Sequence, residues 1–205
     1  MPSIIFIGKG KHKTIENVQT NCTTVNVNFP ISIIGVAANA GAAGQKKKNK
    51  KKTTLEFGVW IKGKKNEGPV VMEDVTINGA QGVGLWADSG MNVLMRKCTI
   101  VNCKKTGVFA YKADITCDNL QVVGCGDSGV CAYFATITLS GQGTSIQGNG
   151  TKGESSCYGL STCSHSSQIQ LVHPLTKEKI SINNGGGGNW GGDGIIKHVA
   201  TVSFD

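Results

Sequence analysis

The chain of 205 residues is poor in aromatic residues, at 6%, and has only four prolines. It has a single arginine, Arg96, against 20 lysines. No apolar run approaches the ~20 residues of a membrane-spanning helix, so no membrane partner is expected. Good helix formers are thin beside Gly, Val, Thr and Asn, which argues against a helix bundle. The opening Met1–Ile7 lacks a basic stretch and its apolar run is short, so it does not read as a secretory signal. A hydrophobic content of 39% nevertheless excludes a disordered chain and suffices for one domain with a sizeable core.

The formal charge of +8 is uneven. Lys46, Lys47, Lys48, Lys50, Lys51 and Lys52 supply six positive charges within seven residues, so the remainder is close to balanced at 8 − 6 = +2. Three readings compete for this tract: a solvated loop with no partner, a polyanion-binding segment, and a receptor-read nuclear import address. No aromatic residues are interleaved with it, so any nucleic-acid binding would be non-specific and salt-sensitive.

A repeat organises the rest. Gly58-Val59-Trp60-Ile61, Gly84-Leu85-Trp86-Ala87, Gly107-Val108-Phe109-Ala110, Gly129-Val130-Cys131-Ala132 and Gly159-Leu160-Ser161-Thr162 recur at offsets of 26, 23, 22 and 30. Between them runs a second repeated strand, Met72–Ile77, Met95–Ile100, Cys117–Val122 and Leu139–Ile146, closed by Gly/Asn turns. A period near 22 residues built from short β-type segments predicts one coil of a parallel β-helix, whose apolar residues are buried only by stacking on the next coil. Ile4–Ile7 and Val25–Ile34 read as further strands. The chain is expected to be one domain, 1–205, interrupted by an Ala/Gly/Lys-rich loop at about 36–54 and a Gly-rich loop at about 183–194.

The run Gly107–Tyr111, then Ile115–Val122, then Gly124–Val130 resembles the right-handed parallel β-helix repeat of the pectin-lyase-like superfamily. Ile31–Gly35 is similar to an early strand of those proteins. Tyr158–Leu160, Pro174–Glu178 and Ile182–Gly191 resemble uncharacterised β-helix proteins encoded by algae and large DNA viruses. The resemblance implies an all-β, single-stranded solenoid, for which the repeat gives about six to seven coils; cysteines at packing positions are expected as free thiols, which implies an intracellular reducing compartment, or a virion. It does not imply an activity, because the superfamily includes lyases, hydrolases, epimerases, tailspikes and non-catalytic scaffolds.

Enzymatic members carry carboxylate pairs that activate water and protonate a leaving oxygen, or acidic Ca²⁺ ligands beside a basic residue. The polygalacturonase motifs Asn-Thr-Asp, Asp-Asp, Gly-His-Gly and Arg-Ile-Lys are absent, and the nearest echo, Asp127-Ser128-Gly129, offers one carboxylate. Arg96 falls between Glu73 and Asp118 at equivalent repeat positions, which reads as an outer charge ladder. His12, His165, His173 and His198 lack zinc-ligand spacing, so neither a metal nor a cofactor is expected. Cys98 and Cys117 fall in inward slots as small hydrophobes, while Cys103 and Cys125 share one turn position and could meet.

Alternation along the Gly-led strand sends Val59, Leu85, Val108, Val130 and Leu160 inward and Trp60, Trp86, Phe109, Cys131 and Ser161 outward, followed by Asp88, Tyr111 and Tyr133. The few aromatics are thus gathered on one outer face, the face that forms the substrate groove in the resembling superfamily. Trp60, Trp86, Phe109, Tyr111 and Tyr133 are candidate ligand contacts, and Asp88, Lys105 and Asp127 are the weak catalytic candidates. Two functions follow. The first is a non-catalytic interaction module that self-associates, joins other protein subunits or binds polyanions. The second is a carbohydrate-active protein working on acidic polysaccharide.

Overall fold

A computed structural model describes residues 3–7, 10–12, 24–27, 31–35, 53–63 and 68–201. Each coil is a triplet of strands. The first holds β1 (Ser3–Ile7), β2 (Gly10–His12) and β3 (Thr24–Val27), and the second β4 (Ile31–Gly35), β5 (Thr53–Leu55) and β6 (Gly58–Lys62). The third holds β7 (Val70–Glu73), β8 (Val75–Asn78) and β9 (Leu85–Asp88), the fourth β10 (Asn92–Arg96), β11 (Thr99–Val101) and β12 (Val108–Tyr111). The fifth holds β13 (Asp114–Asp118), β14 (Gln121–Val123) and β15 (Val130–Tyr133), the sixth β16 (Thr136–Ser140), β17 (Ser145–Gln147) and β18 (Tyr158–Thr162). The last full coil holds β19 (Gln168–Val172), a short helix α1 (Lys177–Ile180), β20 (Ser181–Ile182) and β21 (Gly188–Gly192), and β22 (Ile195–Val199) opens another turn.

Strands one coil apart pair in parallel. Among the described residues this gives sheet A of eight strands from β1 to β22, sheet B of seven from β2 to β20, and sheet C of seven from β3 to β21. The result is a right-handed parallel β-helix, nearly all β, with the coil number the repeat predicts. The register matches the alignment of repeats: Val59, Leu85, Val108, Val130 and Leu160 are successive partners. All five are buried. Met72, Met95, Cys117 and Leu139 form the matching inner row of sheet A. Stacking these rows removes a continuous apolar column from water, which a lone coil cannot do.

The corner between sheets A and B is one residue in the left-handed region: Asp74 (φ 54°), Lys97 (φ 52°), Asn119 (φ 53°), then Gly141 (φ 81°). Such a residue turns the chain sharply and costs an L-amino acid strain. The hydrogen-bond ladder nevertheless runs through the corner, with Asp74 N donating to Arg96 O at 3.0 Å and Lys97 N to Asp118 O at 2.8 Å. Register sets Glu73, Arg96 and Asp118 side by side on sheet A, as the repeat alignment predicts.

The Gly that leads each sheet C strand is there for lack of space. A Cβ on Gly107 would lie 2.7 Å from Gly129 O and press on Val122, and one on Gly84 or Gly129 would meet the next coil's glycine carbonyl at the same 2.7 Å. Real Cβ atoms do not approach backbone so closely, and the backbone cannot yield without breaking the stack.

Three expected boundaries change. Val25–Ile34 is two strands, β3 and β4, in sheets C and A. Pro30 between them has no N–H to add to a ladder. Thr53 and Thr54 belong to β5, so the Lys-rich insertion ends before them. Gly188–Gly192, expected as loop, is strand β21 paired with β18. Its backbone bonds need no side chain, and the Tyr158 ring fills the space where side chains at Gly187 and Gly191 would stand.

Candidate functional site

The outer face of sheet C carries the aromatic row. The Trp60 and Trp86 rings stack with centroids 5.1 Å apart, and Phe109 meets Trp86 edge-on at 5.3 Å. One step along the strands Tyr111 leans on Tyr133 at 5.5 Å, and Tyr133 stacks on Phe134 at 4.6 Å. The structure therefore brings all five predicted aromatics into one strip and adds Phe134. The stacked indoles use flat faces on each other, so the strip offers solvent ring edges more than open platforms. Trp60, Trp86, Phe109 and Tyr111 are half-buried, whereas Tyr133 and Phe134 are exposed. Both indole Nε1 atoms are sheltered from solvent without a hydrogen-bond partner among the described residues.

Lysines rim the strip. Lys62 Nζ lies 5.8 Å from the Trp60 ring centre, and Lys112 Nζ lies 5.1 Å from that of Tyr111. Each ammonium faces the negative side of a ring quadrupole while staying in water. Lys104 and Lys105 are exposed at the opposite end of the same strands.

Cys131 and Ser161, expected to point into solvent, are 4% and 2% exposed. Cys163 lies over both, with its Sγ 2.8 Å from Cys131 Sγ and 3.3 Å from Ser161 Oγ. The small residues at this end of the row leave room for the chain leaving β18 to cover them.

The three weak catalytic candidates do not converge. Asp88 ends β9 and accepts a hydrogen bond from Ser89 Oγ at 3.1 Å. Lys105 and Asp127 stand before β12 and β15, at the other end of the sheet C strands. They occupy the same corner on adjacent coils, where Asp127 N donates to Lys105 O at 3.5 Å. Asp127 is ion-paired with Lys152 at 2.9 Å, and its carboxylate holds that ammonium above the usual lysine range. Ligand atoms of Asp127, Glu154 and Cys157 lie within 4.8 Å of one another. This group could hold a cation, but Lys152 already neutralises Asp127. Glu154, Cys157 and Lys152 are absent from the sequence reading. Their signal is the offset of 30 between Gly129 and Gly159, against 24 between Gln121 and Ser145 in the same two coils, so 30 − 24 = 6 extra residues between β17 and β18 carry all three.

At the corner between sheets B and C the turn position continues as a polar ladder. Cys103 and Cys125 are buried as free thiols, so the two share that position as expected without a bond. Asn149 and Asn184 follow in the next coils, with Asn149 Nδ2 donating to Asn184 Oδ1 at 3.0 Å and Asn184 Nδ2 to Ile146 O at 3.1 Å. The six lysines from Lys46 to Lys52 lie outside the described residues.

Three parallel sheets wound coil on coil, with an aromatic strip along one of them, define a β-solenoid with a lateral surface rather than an enclosed pocket. A family model described as right-handed beta helix region matches residues 3–149 and 57–190. The chain belongs to that family. No curated protein and no solved structure matches it.

Proposed function

We propose that the chain is a non-catalytic β-helix interaction module that binds polyanionic chains along the outer face of sheet C, helped by the basic tract Lys46–Lys52. The carrying observation is the aromatic strip rimmed by Lys62 and Lys112, each within 6 Å of a ring. Aromatic edges supply contact area, and the lysines supply attraction to sulfates, carboxylates or phosphates. Acidic polysaccharide fits this pattern best, because its apolar C–H groups can lie along the aromatic edges while its charges suit the rim. The test is retention of the full chain on an acidic-polysaccharide matrix. Retention that falls with salt and is lost in a Trp86→Ala chain supports the reading, and retention untouched by that change overturns it.

One observation favours the carbohydrate-active alternative. Asp127 and Glu154 place carboxylate oxygens within 4.8 Å of each other beside Lys152. A pair of carboxyl groups is what glycosidic hydrolysis uses, and the Lys152 ammonium beside them would attract an acidic glycan. Release of reducing or unsaturated ends from an acidic glycan, abolished by Asp127→Asn, would establish that function instead.

A further inference from the structure

We propose that Cys131 and Cys163 are a dithiol–disulfide site, closed by exchange with a low-molecular-weight disulfide such as oxidised glutathione. The two residues are 32 apart in sequence and meet because β15 and β18 are partners in sheet C. Cys131 lies inside β15 facing outward, and Cys163 follows the last residue of β18. Cys163 N donates to Ala132 O at 2.8 Å, which fixes its backbone against the strand that holds Cys131. Their sulfurs are 2.8 Å apart, inside van der Waals contact and a short movement from the ~2.05 Å of a disulfide.

The two sulfurs differ as an exchange site requires. Cys163 is exposed and Cys131 is buried. The hydrogen bond shared with Cys131, with Ser161 Oγ 3.3 Å away, holds the Cys163 thiol below the ordinary range, against burial and the Asp193 charge. The same contact, with burial, pushes Cys131 up. Cys163 is thus the attacking thiolate and Cys131 the resolving thiol.

The steps balance. The Cys163 thiolate attacks one sulfur of oxidised glutathione, forms a mixed disulfide and expels one glutathione thiolate. Cys131 loses its proton to solvent and attacks the Cys163 sulfur, which expels the second glutathione thiolate. Two protein thiols are oxidised, and one glutathione disulfide is reduced to two thiols. The closed bond would join the fifth and sixth coils at the end of the row that begins with Trp60. Cys98, Cys103, Cys117 and Cys125 are buried within the core and take no part.

The test uses the full chain, reduced, freed of reductant and incubated with excess oxidised glutathione. Free thiols are then alkylated and the peptides mapped without reduction. The expected product is a peptide pair joining Cys131 to Cys163, lighter by two hydrogens, reopened by dithiothreitol and accompanied by a higher melting temperature. In a Cys131→Ser chain the glutathione adduct on Cys163 should persist, because nothing resolves it. A wild-type chain that keeps that adduct, or that links Cys163 to a cysteine other than Cys131, overturns the proposal. So does a chain in which Cys131 and Cys163 both emerge alkylated.

Discussion

Cys125 and Asn149 are stacked neighbours at one corner of the β-helix, where the Cys125 backbone N–H donates to Asn149 Oδ1 at 3.0 Å. The side chain of Asn149 thereby completes a hydrogen bond that the corner interrupts. Its Nδ2 donates to Val122 O at 3.2 Å, so one buried amide serves both the coil behind it and, through Asn184, the coil ahead.

Asn149→Ala should therefore cost more than an ordinary side-chain hydrogen bond. It leaves the buried Cys125 N–H without its acceptor and takes a donor from Val122 O, at about 1–3 kcal/mol for each orphaned group, while Asn184 keeps the Asn149 backbone N–H and Ile146 O as partners. Urea unfolding should show a lower midpoint, and Asn149→Asp should not restore it, because a carboxylate cannot donate to Val122 O. An alanine variant as stable as the parent would mean that the ladder is ornamental.

Gly107→Ala is expected to be damaging for a different reason. The added methyl would stand 2.7 Å from Gly129 O and press on Val122, with backbone on one side and core on the other. Overpacking of this kind costs about 1–3 kcal/mol. Gly82→Ala, where a Cβ meets nothing within 4 Å, is the control and should leave the thermal midpoint almost unchanged.

That contrast marks what was legible in the sequence. The recurrence of Gly58, Gly84, Gly107, Gly129 and Gly159 announces the coil, and alternation then assigns Val108 inward and Phe109 outward, because a strand has period two. The aromatic strip was legible for the same reason. Positions set by packing between coils were not. Gly188–Gly192 carries no apolar alternation, and it becomes a strand only because β18 supplies the partner backbone and Tyr158 fills the missing side-chain volume. The meeting of Asp127 with Lys152 and Glu154, and of Cys131 with Cys163, crosses turns or insertions whose paths no period specifies.

The buried thiols give the fold an alkaline limit. Burial pushes the Cys98 thiol up from its ordinary 9.0 to about 11, the Asp74 and Glu73 charges add to the rise, and backbone groups at Val75 and Arg96 partly oppose it. Between those values the unfolded chain releases this proton and the folded chain keeps it. Stability is fully present below the unfolded value and falls as pH rises, by about 1.4 kcal/mol per unit for each such thiol. Burial raises Cys117 as well. Denaturant titrations across this window should show stability declining with pH, and Cys98→Ala, though destabilised throughout, should show a shallower decline. An unchanged slope would remove Cys98 as its source.

The two halves of the proposed binding surface should separate by their salt response. Replacing Lys46, Lys47, Lys48, Lys50, Lys51 and Lys52 with Gly and Ser removes six charges, which reduces 8 to +2. On a heparin column the altered chain should elute at much lower salt, and the dependence of binding on salt should flatten by roughly 0.9 log units per lysine engaged, the value for duplex DNA. Trp86→Ala should instead weaken binding at every salt concentration with the slope preserved, because ring contacts release no counterions. Trp86 also stacks on Trp60, so its removal lowers stability by about 0.5–1.5 kcal/mol beyond the lost area. Binding must therefore be read well below the melting temperature, with Trp86→Phe as the partner variant that keeps an aromatic ring. If the lysine replacement leaves heparin elution unchanged, the basic tract is no part of the surface and the charge requirement falls on Lys62, Lys104, Lys105 and Lys112 alone.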